Sequence, residues 1–461
     1  MRYRGRKHTR NGERGVTMVL VAIAMVAMLG MVALAIDVIT MYAARSEAQR
    51  AADSAALAAA KMLVDAGVTG DPGNSGLQTT AQGYATQAAQ SVAQQIAISG
   101  RPVQTADVSV TYPNNGQPSF GINPTVAVTV TRPNVPTFFS RIWSRAALSV
   151  SATATAEAFN PSNSSSVGGG TAMPVIARGV KPFLLPNCDP GATGASCAGS
   201  ATTFFNVSTG ALTRPGQAPG GVIGEVFILQ SNCGAGPGCT PGAPQAGQYY
   251  PAAIPGTPTA CPGTCGGGTN FEQNIECYNS TPLSCSTTVS GATQNTLTVD
   301  TTVYPDGGGG PAQSGVQCLI HEQPANGQDA LQGNNNPAPP GTGLTYPLQI
   351  QLGDNHPLMG TPGLSAGDYV TTSDSIVTVP VYDDVAALTS APANGSPPTA
   401  GAPIVGFLQL FINRTWPGGG GPKAGSFTAT VLNVAGCGNA ASGTPVFPGS
   451  TSAVPVRLIH Q

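Results

Sequence analysis

The chain has 461 residues, 19 basic and 21 acidic, for a formal net charge of −2, and only 9 % of it is charged where about a quarter is usual. That length allows two or three domains, and the weak net charge excludes a general basic field for holding nucleic acid. Sixty Gly, 41 Pro and only 6 % aromatic residues predict short strands, long loops and a thin core.

Six basic residues (Arg2, Arg4, Arg6, Lys7, Arg10 and Arg14) fall in the first 15 positions. From residue 160 onward there are six basic and 13 acidic residues, a net of −7, so a basic tail (1–15) precedes a weakly acidic body. Residues 16–36, from Val16 through Leu20, Ile23, Leu29 and Leu34 to Ile36, carry no charge. At 1.5 Å per residue this run is roughly 31 Å long, the thickness of the bilayer hydrocarbon. It predicts a transmembrane anchor with its basic flank cytoplasmic and its body exported, in a single pass of a bacterial inner membrane. The competing reading is a cleaved secretory signal, for which Ala33-Leu34-Ala35 supplies the small-residue site. The anchor is preferred because the apolar run is long and the helix continues beyond it.

No Gly or Pro occurs from Met31 to Ala66, and eleven of residues 41–66 are Ala, the strongest helix former. A helix extension is therefore predicted over 37–66, supported by Glu47–Arg50 and Arg50–Asp53 pairs at i, i+3, with Gly67 as its C-cap. Ala44, Ala48, Ala51, Ala52, Ala55 and Ala59 either leave room for a neighbouring helix or simply fill an exposed one.

Gly15 after Arg14, Asp37 beyond the apolar run, and Gln49-Arg50-Ala51-Ala52-Asp53-Ser54-Ala55-Ala56-Leu57-Ala58 together resemble the N-terminus of the TadE/TadG-like family of the tight-adherence (Flp-type) pilus system. The motif Q-x-A-A-D-x-A-A-L-A is complete. The resemblance covers about residues 13–65 and extends more weakly to about 158. It implies a minor-pilin-like or pilus-associated envelope protein whose partners are the membrane and other pilus-assembly or pilin subunits. Two features depart from related patterns. Leu20 stands where type IV prepilins carry Glu, five residues after the Gly, and the D-x-S-x-S run of a von Willebrand A metal site is absent.

Residues 67–159 read as a small α+β unit. Tyr84, Ala88, Val92 and Ile96 recur at i+4 as one helix face. Val108, Val110 and Tyr112, then Val126, Val128 and Val130, then Leu148 to Ala156, alternate as half-buried strands. Asn114-Asn115-Gly116 suits a turn, and Pro136–Trp143 a short helix facing the core with Phe138, Phe139, Ile142 and Trp143. A Ser/Gly-rich linker is read at 160–170. Residues 171–461 are expected to be a mainly-β, sandwich-like exported domain, with strands at 224–230, 296–304, 346–352, 376–382, 404–412, 427–434 and 453–459. Pro380 places its strand at an edge or a bulge. The fold class expected for the whole chain is α+β.

All ten cysteines lie between 188 and 437, in the exported part, and read as disulfides. Neighbour pairing gives Cys188/Cys197, Cys233/Cys239, Cys261/Cys265 and Cys277/Cys285, with Cys318/Cys437 as a long-range pair. The alternative is a four-thiolate metal site at Cys261, Cys265, Cys277 and Cys285, disfavoured by spacing and by an oxidising compartment. Cys318 beside His321-Glu322 is the one nucleophile–base candidate, His356 reads as a surface residue, and Asp383-Asp384 as a solvated acidic turn. No nucleotide, hydrolase or metalloprotease motif occurs, and no cofactor, metal or small-molecule substrate is expected. The first reading is a non-enzymatic pilus-assembly component. A surface or periplasmic adhesion or ligand-binding protein on a TadG-like anchor is second, and an exported hydrolase third.

Overall fold

The computed structural model describes residues 13–137, 148–160, 162, 173–192, 197, 202–234, 236–259, 261, 265, 268–285, 295–306, 310–324, 326–331, 348–360, 363–370, 372–383, 401–416, 424–438, 441, 452 and 454–459. The chain forms two compact units that interleave in sequence. One takes residues up to Ala56, Ala89–Thr111 and Ala127–Thr155; the other takes Leu57–Ala88, Tyr112–Val126 and Ala156 onward.

Helix α1 runs unbroken from Glu13 to Asp65, as its Ala-rich, Gly- and Pro-poor second half demands. Gly67 follows at φ 78°, the left-handed conformation that closes a helix, and its N–H donates to the Val64 carbonyl at 2.8 Å. Helix α2 (Ser75–Gln94) buries Ala81, Ala85, Ala89 and Ala93. This corrects the expected face one residue round the helix, since Tyr84, Ala88, Val92 and Ile96 are only half-buried. The closest-packed line of the helix is its smallest residues, and the larger side chains flank it.

In the first unit, strands β1 (Val108–Thr111), β2 (Thr125–Val135) and β3 (Leu148–Ala158) form an ordered sheet, β1 antiparallel to β2 with Val108 opposite Val130. Val126, Val128 and Val130 alternate inward as the period-2 pattern requires. Outward Thr129 bonds Thr153 and Thr131 bonds Ser151 through their hydroxyls, the cross-strand pairing typical of a sheet's polar face. The turn expected at Asn114–Gly116 is extended by a short helix α3 (Pro118–Ile122), whose two ends are tied by Asn114 accepting from the Thr125 N–H and donating to the Asn123 carbonyl. The helix expected at Pro136–Trp143 falls mostly outside the described residues.

The second unit is built on a closed barrel, not a sandwich. Its strands are β4 (Phe183–Pro186), β5 (Val226–Ser231), β6 (Gln248–Pro251), β7 (Ile376–Tyr382), β8 (Ala402–Thr415) and β9 (Phe427–Gly436). The order β8-β7-β4-β6-β5-β9 closes because β9 also pairs with β8. The β5–β6 and β4–β7 pairings are parallel and the other four antiparallel. Closure removes the free edges an open sheet would expose. One contiguous cluster draws residues from all six strands, with Phe183 against Phe427 at 4.8 Å and against Tyr249 at 4.9 Å between ring centroids. Two short helices, α4 (Asn270–Glu276) and α5 (Pro311–Leu319), add Phe271, Ile275, Val316 and Leu319 to that cluster. Strand β10 (Val456–Ile459) follows, and its Arg457 pairs with Glu157.

β7 is an interior strand, with a register shift at Val381/Tyr382 beside Pro380, so the bulge half of that expectation stands and the edge half does not. The expected strand at 296–304 shrinks to Thr296–Leu297, and in the described part of that expected at 346–352 the strand is Ile350–Gln351. The linker begins as anchored backbone: Asn160 is fully buried and donates to the Thr69 and Val434 carbonyls, and buried Ser162 bonds Gly436. Residues 163–170 lie outside the described set.

Candidate functional site

The first candidate is α1 itself. From Val16 to Leu34 its large apolar side chains are all more than half exposed, and Ile36 is 41 % exposed, so these side chains suit lipid. It is a candidate membrane anchor by length, composition and exposure. The outer half differs. Ala44, Ala48, Ala51, Ala52, Ala55, Ala56, Ala59 and Ala60 are fully buried within the chain's own fold, whereas Leu57 and Ala58 are half-buried. The small-residue seam expected to receive a neighbouring helix is therefore occupied intramolecularly.

The polar members of the motif explain its spacing. Gln49 Nε2 donates to Asp53 Oδ1 at 2.8 Å, one turn on, and reaches the Thr153 carbonyl of β3 at 3.4 Å. Glu47 Oε2 accepts from the Ser99 N–H at 2.8 Å, capping the turn between the short paired segments Ala97–Ile98 and Arg101–Pro102. The i, i+3 ion pairs expected of Arg50 are not among those of the described residues, because Glu47 and Asp53 are committed elsewhere. Asp37 is 4 % exposed and has a partner, so the charge at the end of the apolar run is taken into the fold.

The ten cysteines are joined in five disulfides, three of which correct the expected connectivity. Cys188–Cys197 and Cys233–Cys239 pair as neighbours, whereas Cys261 joins Cys277, Cys265 joins Cys318 and Cys285 joins Cys437. The reason is α4 and α5, which pack together and bring Cys277 beside Cys261 and Cys318 beside Cys265. The four-thiolate grouping is dispersed over three bonds. Glu276 lies within metal-ligand reach of Cys265 and Cys318, but both sulfurs are bonded to each other.

Cys318, so bonded, is not a free nucleophile. His321 Nε2 meets Asp374 at 2.9 Å, and buried Glu322 accepts the Thr415 N–H and hydroxyl, so these neighbours diverge. His356 is 8 % exposed, not a surface residue: its Nδ1 accepts the Leu358 N–H, so Nε2 carries the proton and faces Asp329 at 3.5 Å. Ser373 donates to Asp329, not to the histidine, so Ser, His and Asp are together without the order a nucleophilic triad needs. Asp383 is 4 % exposed, which corrects the solvated turn; Asp384 lies outside the described residues.

The strongest buried electrostatic cluster had no sequence signal, because its members are far apart. Arg214 Nη1 meets Asp189 at 2.6 Å and Glu225 at 3.7 Å, and both carboxyl side chains are almost fully buried. Burial, with the Asp189 carboxylate adjacent, pushes Glu225 up to about 8, so Glu225 holds a proton at neutral pH. Burial also lowers Lys181 to about 8, against the pull of Asp374 and Glu276; its ammonium donates to the Cys277 carbonyl.

No curated protein and no solved structure matches the chain. Residues 15–62 match the Tad family of Flp pilus-assembly TadE/G-like proteins. That span covers the exposed apolar segment, Asp37 and the whole Gln49–Ala58 motif, so over residues 15–62 the chain is similar to TadE/G-like proteins, which supports a pilus-assembly-related role.

Proposed function

We propose that the protein is a non-enzymatic, membrane-anchored component of Tad/Flp-type pilus assembly, minor-pilin-like or pilus-associated. In this reading the apolar half of α1 crosses the inner membrane once, its basic end in the cytoplasm and the remainder of the chain outside it, in contact with other assembly or pilin subunits. One observation carries the reading: a TadE/G-like segment whose first half is an exposed apolar helix of bilayer length. Five disulfides fit an oxidising location. Deletion of the gene tests it. Loss of pili and adherence, with the protein in the membrane fraction and its body cut by protease only after the outer membrane is opened, supports the role; unchanged piliation refutes it.

A further inference from the structure

The exposed side of α1 stays apolar beyond the point where its sequence first shows a charge. Val38, Ile39 and Tyr42 are 58, 67 and 77 % exposed and lie on one face, continuing Leu34 one turn on. The next charge on that face is the exposed Arg45. The opposite stripe, Ala33, Asp37 and Ala44, is covered by the chain's own fold.

Asp37 is what sets the end of the span at Ile36 when the sequence is read linearly. Its burial removes that bar, since the carboxylate is not offered to lipid. Val16 to Tyr42 is 27 residues, roughly 40 Å of helix, which matches the hydrocarbon core plus a headgroup layer. The residue order also fits: an aromatic with a polar tip lies at the boundary, then an arginine able to reach phosphates.

We propose that the face formed by Leu34, Val38, Ile39 and Tyr42 is immersed in the outer headgroup layer of the bilayer that α1 spans, with the membrane boundary at Tyr42–Arg45. Asp37 is then held at that depth inside the protein. The occupant is lipid because the face is continuous, on one helix, with the apolar surface of the anchor. This rests on the membrane-anchor reading and adds a depth and a sidedness to it.

A photoreactive benzophenone amino acid placed singly at Val26, Ile39, Tyr42 or Arg50 of the full chain, reconstituted in phosphatidylethanolamine/phosphatidylglycerol vesicles, tests both. All four positions are exposed, so folding is unaffected. Phospholipid adducts, read by mass, are expected at Ile39 and Tyr42 at a yield close to that at Val26 and at least about fivefold above Arg50. Adducts at Val26 with Ile39 and Tyr42 at the Arg50 level, or joined to a second protein chain, overturn the proposal and leave the anchor standing. No lipid adduct at Val26 overturns the anchor and the proposal with it.

Discussion

The two units reach stability from the same Gly-, Ala- and Pro-rich chain by different means. The first contains no cysteine, and its core is mostly Ala and Val with Ile98: the buried seam of α1 and the inward faces of β1, β2 and β3. Small side chains bury little area each, so contact must come from close approach of backbones. The second holds all ten cysteines and most of the buried aromatics, and it wraps six strands into a barrel. There, cross-links shrink the unfolded ensemble. The comparison teaches that low hydrophobicity can be offset either by tightness or by covalent closure.

Breaking the covalent side should give the largest effect. Cys285 and Cys437 are 152 residues apart, a loop worth about 5 kcal/mol by chain entropy, against about 2 kcal/mol for the six-residue Cys233–Cys239 separation. A Cys285→Ser/Cys437→Ser variant should lose most of the second unit's thermal transition, a Cys233→Ser/Cys239→Ser variant much less. Calorimetry, with and without reductant, reads both, and the first unit's transition should not respond to reductant. The tight side breaks through overpacking. Ala52→Leu in the fully buried seam should cost the first unit about 1–3 kcal/mol, whereas Ala43→Leu, on the exposed side, should change stability by less than about 0.5 kcal/mol. Equal effects from the two substitutions would remove the close-packing account.

The second unit should also carry a pH signature. Glu225 is raised from 4.5 to about 8, so between those values the folded state binds more protons than the unfolded. Its contribution is complete below pH 4.5 and is lost as pH rises through 8. Lys181 is lowered from 10.5 to about 8, so the unfolded chain binds the extra proton between pH 8 and 10.5, and stability rises there. Each effect is on the order of 1–3 kcal/mol after relaxation. Urea midpoints should fall from pH 5 to 8, and Glu225→Gln, which keeps the neutral form, should flatten that fall and raise stability at pH 8.

Period and composition made the long apolar helix, its Ala-rich outer half and the longest strands legible: 376–382 was read residue for residue as β7, and β8 and β9 lie within a few residues of their expected ranges. Barrel closure was not legible, because it depends on β9 meeting both β8 and β5 across some 200 residues. Helices α4 and α5 did leave signals. Thr269-x-x-Glu272 is a capping pattern in which Thr269 accepts the Glu272 N–H, and Pro311 opens α5 at a position where a missing N–H costs nothing. Those two helices decide the cysteine pairing, so missing them made the neighbour pairing fail. The buried Asp189–Arg214–Glu225 cluster is long-range and leaves no local trace.

The smallest test asks where the boundary between the two strategies lies on α1. Leu57–Asp65 belong to the second unit, although the helix is continuous. Val64 there accepts a buried hydrogen bond from Asn433 of β9 at 2.7 Å, and Gly67 closes the helix in a conformation that strains any residue with a Cβ. Gly67→Ala should therefore cost about 1 kcal/mol, or roughly 2–4 °C. If the last two turns of α1 melt with the barrel, that shift falls on the second transition alone; a shift confined to the first would make α1 one cooperative element to its end.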